Sequence, residues 1–112
     1  MLTKTDALHI AAELAEQAKA ALQNKLDAVI VFGSYARNDF DAESDLDIMV
    51  RIRCPADQLD VYERFFARLA SQLSLRYEVT VSVIVKDSRT FSAFKSVLPF
   101  YQNVEREGIK IA

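Results

Sequence analysis

Hydrophobic positions recur along the chain with two different periods, and the changes between them sketch its elements. Leu8, Ala11, Leu14, Ala15, Ala18 and Leu22 return every three or four residues between Thr5 and about Asn24. That spacing predicts a helix with one apolar face, for which Thr5 offers a capping hydroxyl and the many alanines a favourable propensity. Ala28 to Phe32 is an unbroken apolar run ending at Gly33, the pattern of a strand buried on both faces. Ser34 to Asn38 predicts a short helical turn, and Asn38 to Ser44 a polar loop. Beyond it, Leu46, Ile48, Val50 and Ile52 alternate with Asp45, Asp47, Met49, Arg51 and Arg53. This is a strand with one apolar face and another that begins on two carboxylates.

Pro55 suits the first position of a helix, and Leu59, Tyr62, Phe66, Leu69 and Leu73 carry its stripe to about Leu75. Tyr77 to Val85 alternates again, with Val79, Val81, Val83 and Val85 against Glu78, Thr80, Ser82 and Ile84. A third strand is expected there. Asp87 or Ser88 can cap a short helix bearing Phe91 and Phe94, and Pro99 can open another that Gly108 stops. Ile109 to Ala112 reads as a short strand or a loose end. The order is helix, strand, turn, strand, helix, strand, helices: an α/β (α+β) arrangement on a small three- or four-stranded sheet.

Length and composition narrow the picture further. The 112 residues leave room for a single domain, expected to span 1–112. A hydrophobic share of 51% with two Gly and two Pro suits a packed fold and not a disordered chain. The formal charge of −2 offers no global attraction to nucleic acid, so broad nucleic-acid binding is disfavoured. Cys54 is the only cysteine, which excludes an intrachain disulfide and a cysteine-rich zinc site. No run is long and apolar enough to span a membrane and the first residues lack a secretory pattern, so a cytoplasmic protein is expected.

Asp45 and Asp47 stand two apart on an expected strand and therefore share a face. At about 5 Å, two carboxylates repel by roughly 3 kcal/mol at an effective dielectric near 20. A hard cation relieves such a pair, and oxygen-only ligands favour Mg²⁺ over Zn²⁺. Upstream, Gly33 permits a tight strand-to-helix turn and close backbone approach to a ligand. Amides opening the following turn favour an anion, the Ser34 hydroxyl adds a donor, and Arg37 adds charge. Phosphate cradle and metal pair together make a candidate Mg-nucleotide site.

Gly33-Ser34-Tyr35-Ala36-Arg37 followed by Ser44-Asp45-Leu46-Asp47 resembles the Gly-Ser…Asp-x-Asp signature of the polymerase-beta-like nucleotidyltransferases. Within them the chain looks most like the minimal nucleotidyltransferase (MNT) branch, and Pro99 to Gly108 resembles the close of its small bacterial members. The resemblance implies the nucleotidyltransferase fold, a small mixed β-sheet flanked by helices. It implies Gly33 and Ser34, with Arg37, at the triphosphate of a nucleotide such as ATP, and Asp45 and Asp47 as catalytic ligands of Mg²⁺. The implied reaction moves a nucleoside monophosphate, AMP from ATP, to an acceptor hydroxyl and releases pyrophosphate. The implied biology is an antitoxin paired with a HEPN-domain toxin.

Two positions depart from the family pattern. Asn38 stands where Gly is usual after the Arg, and it tolerates left-handed backbone. Ser82 stands at the best match to the third carboxylate of catalytic members, the one that activates the acceptor hydroxyl. Glu78, four residues or about 13 Å along the same expected strand, is too far to replace it. Two hypotheses therefore stand side by side: an active nucleotidyltransferase, and a catalytically impaired nucleotide-binding or toxin-neutralising module.

Other residues have plainer readings. Asp39, Asp41 and Glu43 suit a solvated loop, with Arg37 as their ion-pair partner in place of a phosphate. Arg51 and Arg53 suit exposed strand charges, and His9 and Cys54 ordinary, inert positions. Phe65, Phe66, Phe91, Phe94, Phe100 and Tyr101 are expected to be mostly core, with some left over for a partner or homodimer surface.

Overall fold

The computed structural model describes residues 2–112. Helix α1 (Lys4–Leu22) leads through a 3₁₀ turn into β1 (Leu26–Phe32), and the one-turn helix α2 (Ser34–Arg37) follows. Strand β2 (Leu46–Ile52), helix α3 (Leu59–Tyr77) and strand β3 (Val81–Asp87) form a parallel crossover unit. Helices α4 (Ser88–Phe94) and α5 (Pro99–Glu107) precede the short β4 (Ile109–Lys110). The sheet runs β3-β2-β1-β4, with β1 antiparallel to both β2 and β4. The expected mixed sheet flanked by helices is thus what the chain forms.

Both faces of the sheet are covered, which explains the unbroken apolar run in β1. Val29 and Val31 on one face meet Ile48, Val50, Leu14, Phe66 and Leu73, where α1 and α3 pack. Ala28 and Ile30 on the other face meet Met49, Phe91, Tyr101 and Val104, where α4 and α5 pack. Every one of these side chains is at least 94% buried, Ile30 and Tyr101 at 6% exposure being the least so.

The structure corrects several boundaries. The cap of α1 is Thr3 and not Thr5: Thr3 Oγ1 accepts from the Asp6 amide and Asp6 Oδ2 from the Thr3 amide, each at 3.0 Å. Reciprocal capping needs an acceptor three residues on, and Asp6 supplies it to Thr3 alone. Pro55 caps a 3₁₀ turn (Ala56–Gln58), and α3 begins only at Leu59.

The third strand starts at Val81, since α3 runs on through Tyr77. Arg76 and Tyr77 reach Glu13 of α1 at 2.7 and 2.9 Å, holding the extra turn. Glu78 then takes left-handed backbone at φ 54 as the helix cap, so it shares no strand face with Ser82. The alternation read across Tyr77 to Thr80 was a helix end and a turn.

Arg51 is not an exposed strand charge. Its side chain is 18% exposed, its guanidinium lies 4.6 Å over the Phe91 ring, and Nη1 donates to Glu105 at 3.1 Å. Asp27, at the register shift between Leu26 and Ala28, takes Arg53 at 2.9 Å and the Ser88 hydroxyl at 2.8 Å. Both arginines tie the sheet to its neighbours at the end remote from Asp47. His9 is exposed and Cys54 half-buried, as expected of inert positions.

Candidate functional site

The chain reverses sharply where β1 meets α2. Gly33 sits at φ 75, ψ −153, a region open almost solely to glycine. Its carbonyl accepts from the Ala36 and Arg37 amides, each at 3.1 Å, which closes the single turn of α2. Tyr35 is buried and stacks on Phe40 at 4.4 Å, fixing the turn to the protein. Asn38 ends it at φ 68, the left-handed conformation that its side chain tolerates. The Ser34 and Tyr35 amides that open the turn have no partner within it.

Asp47 lies directly against this turn. A methyl group on Gly33 would collide with the Asp47 carboxylate. In the sheet, Asp47 pairs with Phe32 of β1 on one side and with Ser82 of β3 on the other. A hollow of about 530 Å³ opens here, lined by Gly33, Ser34, Arg37 and Asp47 from the sheet side. Phe32, Phe100, Asn103, Val104 and Glu107 complete it.

Asp45 is placed differently from the sequence expectation. It precedes β2, is exposed, and borders a neighbouring hollow with Tyr35, Ser44, Glu78 and Thr80. It remains near enough for its charge to act on Asp47. Ser44 and Asp41 brace the intervening loop: Ser44 Oγ accepts from the Asp41 amide at 2.9 Å, and Asp41 Oδ1 accepts from the Glu43 amide at 2.9 Å. Asp39, Asp41 and Glu43 are all exposed.

Arg37 is the ion-pair partner of the acidic loop, and it also lines the hollow. Its Nε pairs with Asp39 at 3.1 Å and its Nη1 with Glu107 at 3.8 Å, while it lines the hollow beside Ser34. With 45% of its side chain exposed, these pairs are weak and can yield to a stronger anion. Sequence reasoning did not place Phe32, Phe100, Asn103 or Glu107 here. Pro99 to Gly108 resembles the close of small family members, yet nothing in it signals which strand end α5 covers.

Burial, then the charge of Asp45, pushes the Asp47 carboxyl above its ordinary range, and Arg37 partly opposes them. A raised carboxyl stabilises the fold fully below its unfolded pKa, and that contribution is lost as pH rises through the folded one. The expected result is a widening gap in melting temperature. As pH climbs from below 3.8 through the raised value, Asp47→Asn gains on the wild type without divalent ions. Parallel melting curves across that range refute the assignment.

The donor set suits a hard cation. Asp45 and Asp47 offer only oxygen, and Mg²⁺ is commonly held by one or two carboxylates together with substrate phosphates. Among the described residues no three His, Cys, Asp or Glu side chains cluster as a self-sufficient metal cage. A larger hollow of about 820 Å³ between α3 and β3 is lined mainly by small and apolar side chains and lacks such convergence.

A family model described as "Nucleotidyltransferase domain" matches residues 12–111. The chain is 31% identical over 104 residues to "Putative protein adenylyltransferase MJ0141" of Methanocaldococcus jannaschii, covering 93% of this chain and 97% of that one. Among solved structures, one described as a "putative nucleotidyltransferase from Sulfolobus solfataricus" superposes with TM-score 0.61 at 22% identity, over 96% of this chain and 80% of that one. A toxin-antitoxin structure with AMP-PNP superposes with TM-score 0.55 at 21% identity, over 90% and 72% respectively. At these identities the two structures speak for the fold alone.

Proposed function

The chain belongs to the nucleotidyltransferase domain family, and from that premise we propose that it binds Mg-ATP at the Gly33–Asp47 corner and transfers AMP to a hydroxyl of a protein acceptor. The observation that carries this reading is the contact between the Gly33 turn and the Asp47 carboxylate. It sets the turn that would take the phosphates beside the carboxylate that would take the cation, at the ends of neighbouring strands. The protein-adenylyltransferase name of the M. jannaschii relative supports AMP and a protein acceptor. The AMP-PNP in the toxin-antitoxin structure supports an adenine nucleotide. The MNT-like signature adds a HEPN-domain toxin as the natural partner.

In this reading Gly33 lets the backbone approach the phosphates, and the turn amides with the Ser34 hydroxyl donate to their oxygens. Arg37 exchanges Asp39 and Glu107 for the triphosphate. Asp45 and Asp47 would hold Mg²⁺, which supplies positive charge to the phosphate oxygens as pyrophosphate leaves. The acceptor oxygen bonds to the α-phosphorus, and the bond from that phosphorus to the bridging oxygen breaks. The hydroxyl proton passes to solvent, since Ser82 beside Asp47 cannot take it as a carboxylate would.

That same Ser82 favours a second reading, in which the protein binds Mg-ATP and neutralises a toxin by covering it, with little turnover. One experiment separates the two. The protein is incubated with labelled ATP, Mg²⁺ and the product of the adjacent gene, beside an Asp45→Asn, Asp47→Asn double variant. Label should reach the acceptor with the wild type and fall by about 10²-fold or more in the variant, the scale of losing preorganised charge stabilisation. An unlabelled partner that both proteins neutralise equally supports covering. Absence of Mg-ATP heat in calorimetry of the wild type sinks both.

A further inference from the structure

Helix α4 and the turn after it use only one side for packing. Phe91 is buried against Arg51 and Tyr101, whereas every residue from Ser92 to Phe100 is exposed. Four of these are large and apolar: Phe94 at 47%, Val97 at 64%, Leu98 at 41% and Phe100 at 42% exposure. They are not scattered. The Val97 and Leu98 amides both donate to the Phe94 carbonyl, at 3.0 and 2.9 Å, so the three side chains share one side of a helical turn. Gln102 Nε2 donates to the Ser96 carbonyl at 2.7 Å, binding that turn to α5. The patch is therefore held in shape before anything covers it.

Two observations say what covers it. Phe100 belongs to both places: it follows the patch and lines the hollow with Gly33, Ser34 and Asp47, its ring 5.5 Å edge-on from Phe32. An occupant of the patch thus runs toward the proposed transfer centre. Lys95 is the only charged residue between Thr90 and Val104, in a chain whose net charge is −2. It takes part in none of the ion pairs among the described residues. It stands beside the patch, lining a shallow hollow with Ser96, Gln102, Glu105 and Arg106, and two cations at the edge of exposed apolar side chains match a carboxylate-flanked apolar segment, and are far too few for a nucleic-acid backbone.

We propose that Phe94, Val97 and Leu98, with Lys95 at their edge and Phe100 as the link to the hollow, dock the acceptor polypeptide through an apolar segment flanked by acidic residues. This rests on the transfer reading above, and the test keeps the two apart. A fluorescent tyrosine peptide rich in Leu and Ile and flanked by Glu, and its twin flanked by Lys, are titrated by anisotropy without nucleotide. The Glu-flanked peptide should bind the wild type more tightly than its twin. Phe94→Ser, Val97→Ser should weaken it by about tenfold or more, as expected for losing two apolar anchors. Lys95→Glu should reverse the preference between the twins.

Mg-ATP calorimetry runs in parallel, and both variants should match the wild type because the altered side chains lie outside the hollow. Loss of Mg-ATP binding by the wild type speaks against the transfer reading and leaves the peptide result standing. Equal binding of the twins, or of the peptide by the double variant, overturns the docking surface. So does a dimer in light scattering that the double variant dissociates, which would put a second copy on the patch. Tighter binding to anionic vesicles than to the peptide, abolished by the same variant, overturns it too.

Discussion

Ser82→Asp is expected to raise the rate of nucleotidyl transfer to a hydroxyl acceptor by roughly 10²- to 10⁴-fold, the usual contribution of a positioned general base. The reason lies in the sheet register. Ser82 pairs with Asp47 across the parallel β2–β3 boundary, on the face that opens to the hollow side of the sheet. Strands lie about 4.8 Å apart, so a carboxylate at 82 stands beside that of Asp47. At an effective dielectric near 20 the new repulsion is about 3 kcal/mol, and the variant should melt lower than the wild type in chelator. Adding Mg²⁺ with ATP should restore much of that loss. Ser82→Asn, with similar shape and no charge, should do neither. A Ser82→Asp protein that is no faster, and whose melting ignores divalent ions, shows that the position faces no reacting group.

Gly33→Ala is expected to weaken Mg-ATP binding by about 10²-fold, the equivalent of about 2.7 kcal/mol of lost hydrogen bonding to a charged group. Two separate penalties converge on this residue. Its φ of 75 with ψ of −153 is a conformation that side-chain-bearing residues avoid, costing about 1–3 kcal/mol. The added methyl also meets the Asp47 carboxylate, which must turn away from the phosphates. Calorimetry with Mg-ATP and a thermal melt measure the two effects independently. Asn38→Gly is the control, since residue 38 has φ 68 at the other end of α2 and touches the site only through that turn. It should change affinity little. Equal affinities for the wild type and Gly33→Ala would remove the turn from the nucleotide site.

Reading from the residues succeeded wherever one local rule governed. The double-sided burial of β1 follows from five consecutive apolar residues, and the one-turn helix after Gly33 from its sequence neighbours. Asp87 caps α4 by accepting from the Thr90 amide at 2.9 Å, Pro99 opens α5 and Gly108 stops it. It failed where distant residues chose between local options. Thr3 and Thr5 both look like caps, and only the partnership with Asp6 selects Thr3. Tyr77 fits a strand or a helix end, and Glu13 of α1 decides for the helix. Arg51 looks solvated until Phe91, Asp27 and Glu105 arrive from three other elements.

For the candidate site the division is similar. Local chemistry nominated Gly33, Ser34, Arg37, Asp45 and Asp47, because glycine's backbone freedom and paired carboxylates are properties of residue type and spacing. The nucleotidyltransferase domain family matches residues 12–111, a span that contains all five. Their arrangement in space is another matter. The antiparallel register of β1 and β2 set Asp47 against the Gly33 turn and left Asp45 just outside the strand. The return of α5 across that strand end brought Phe100, Asn103 and Glu107, more than fifty residues after Asp47, into the same hollow. A sequence states which groups are present and how neighbours bend, since those depend on bonded chemistry. Which groups meet depends on how whole faces pack to exclude water, and that is settled only when every element is in place.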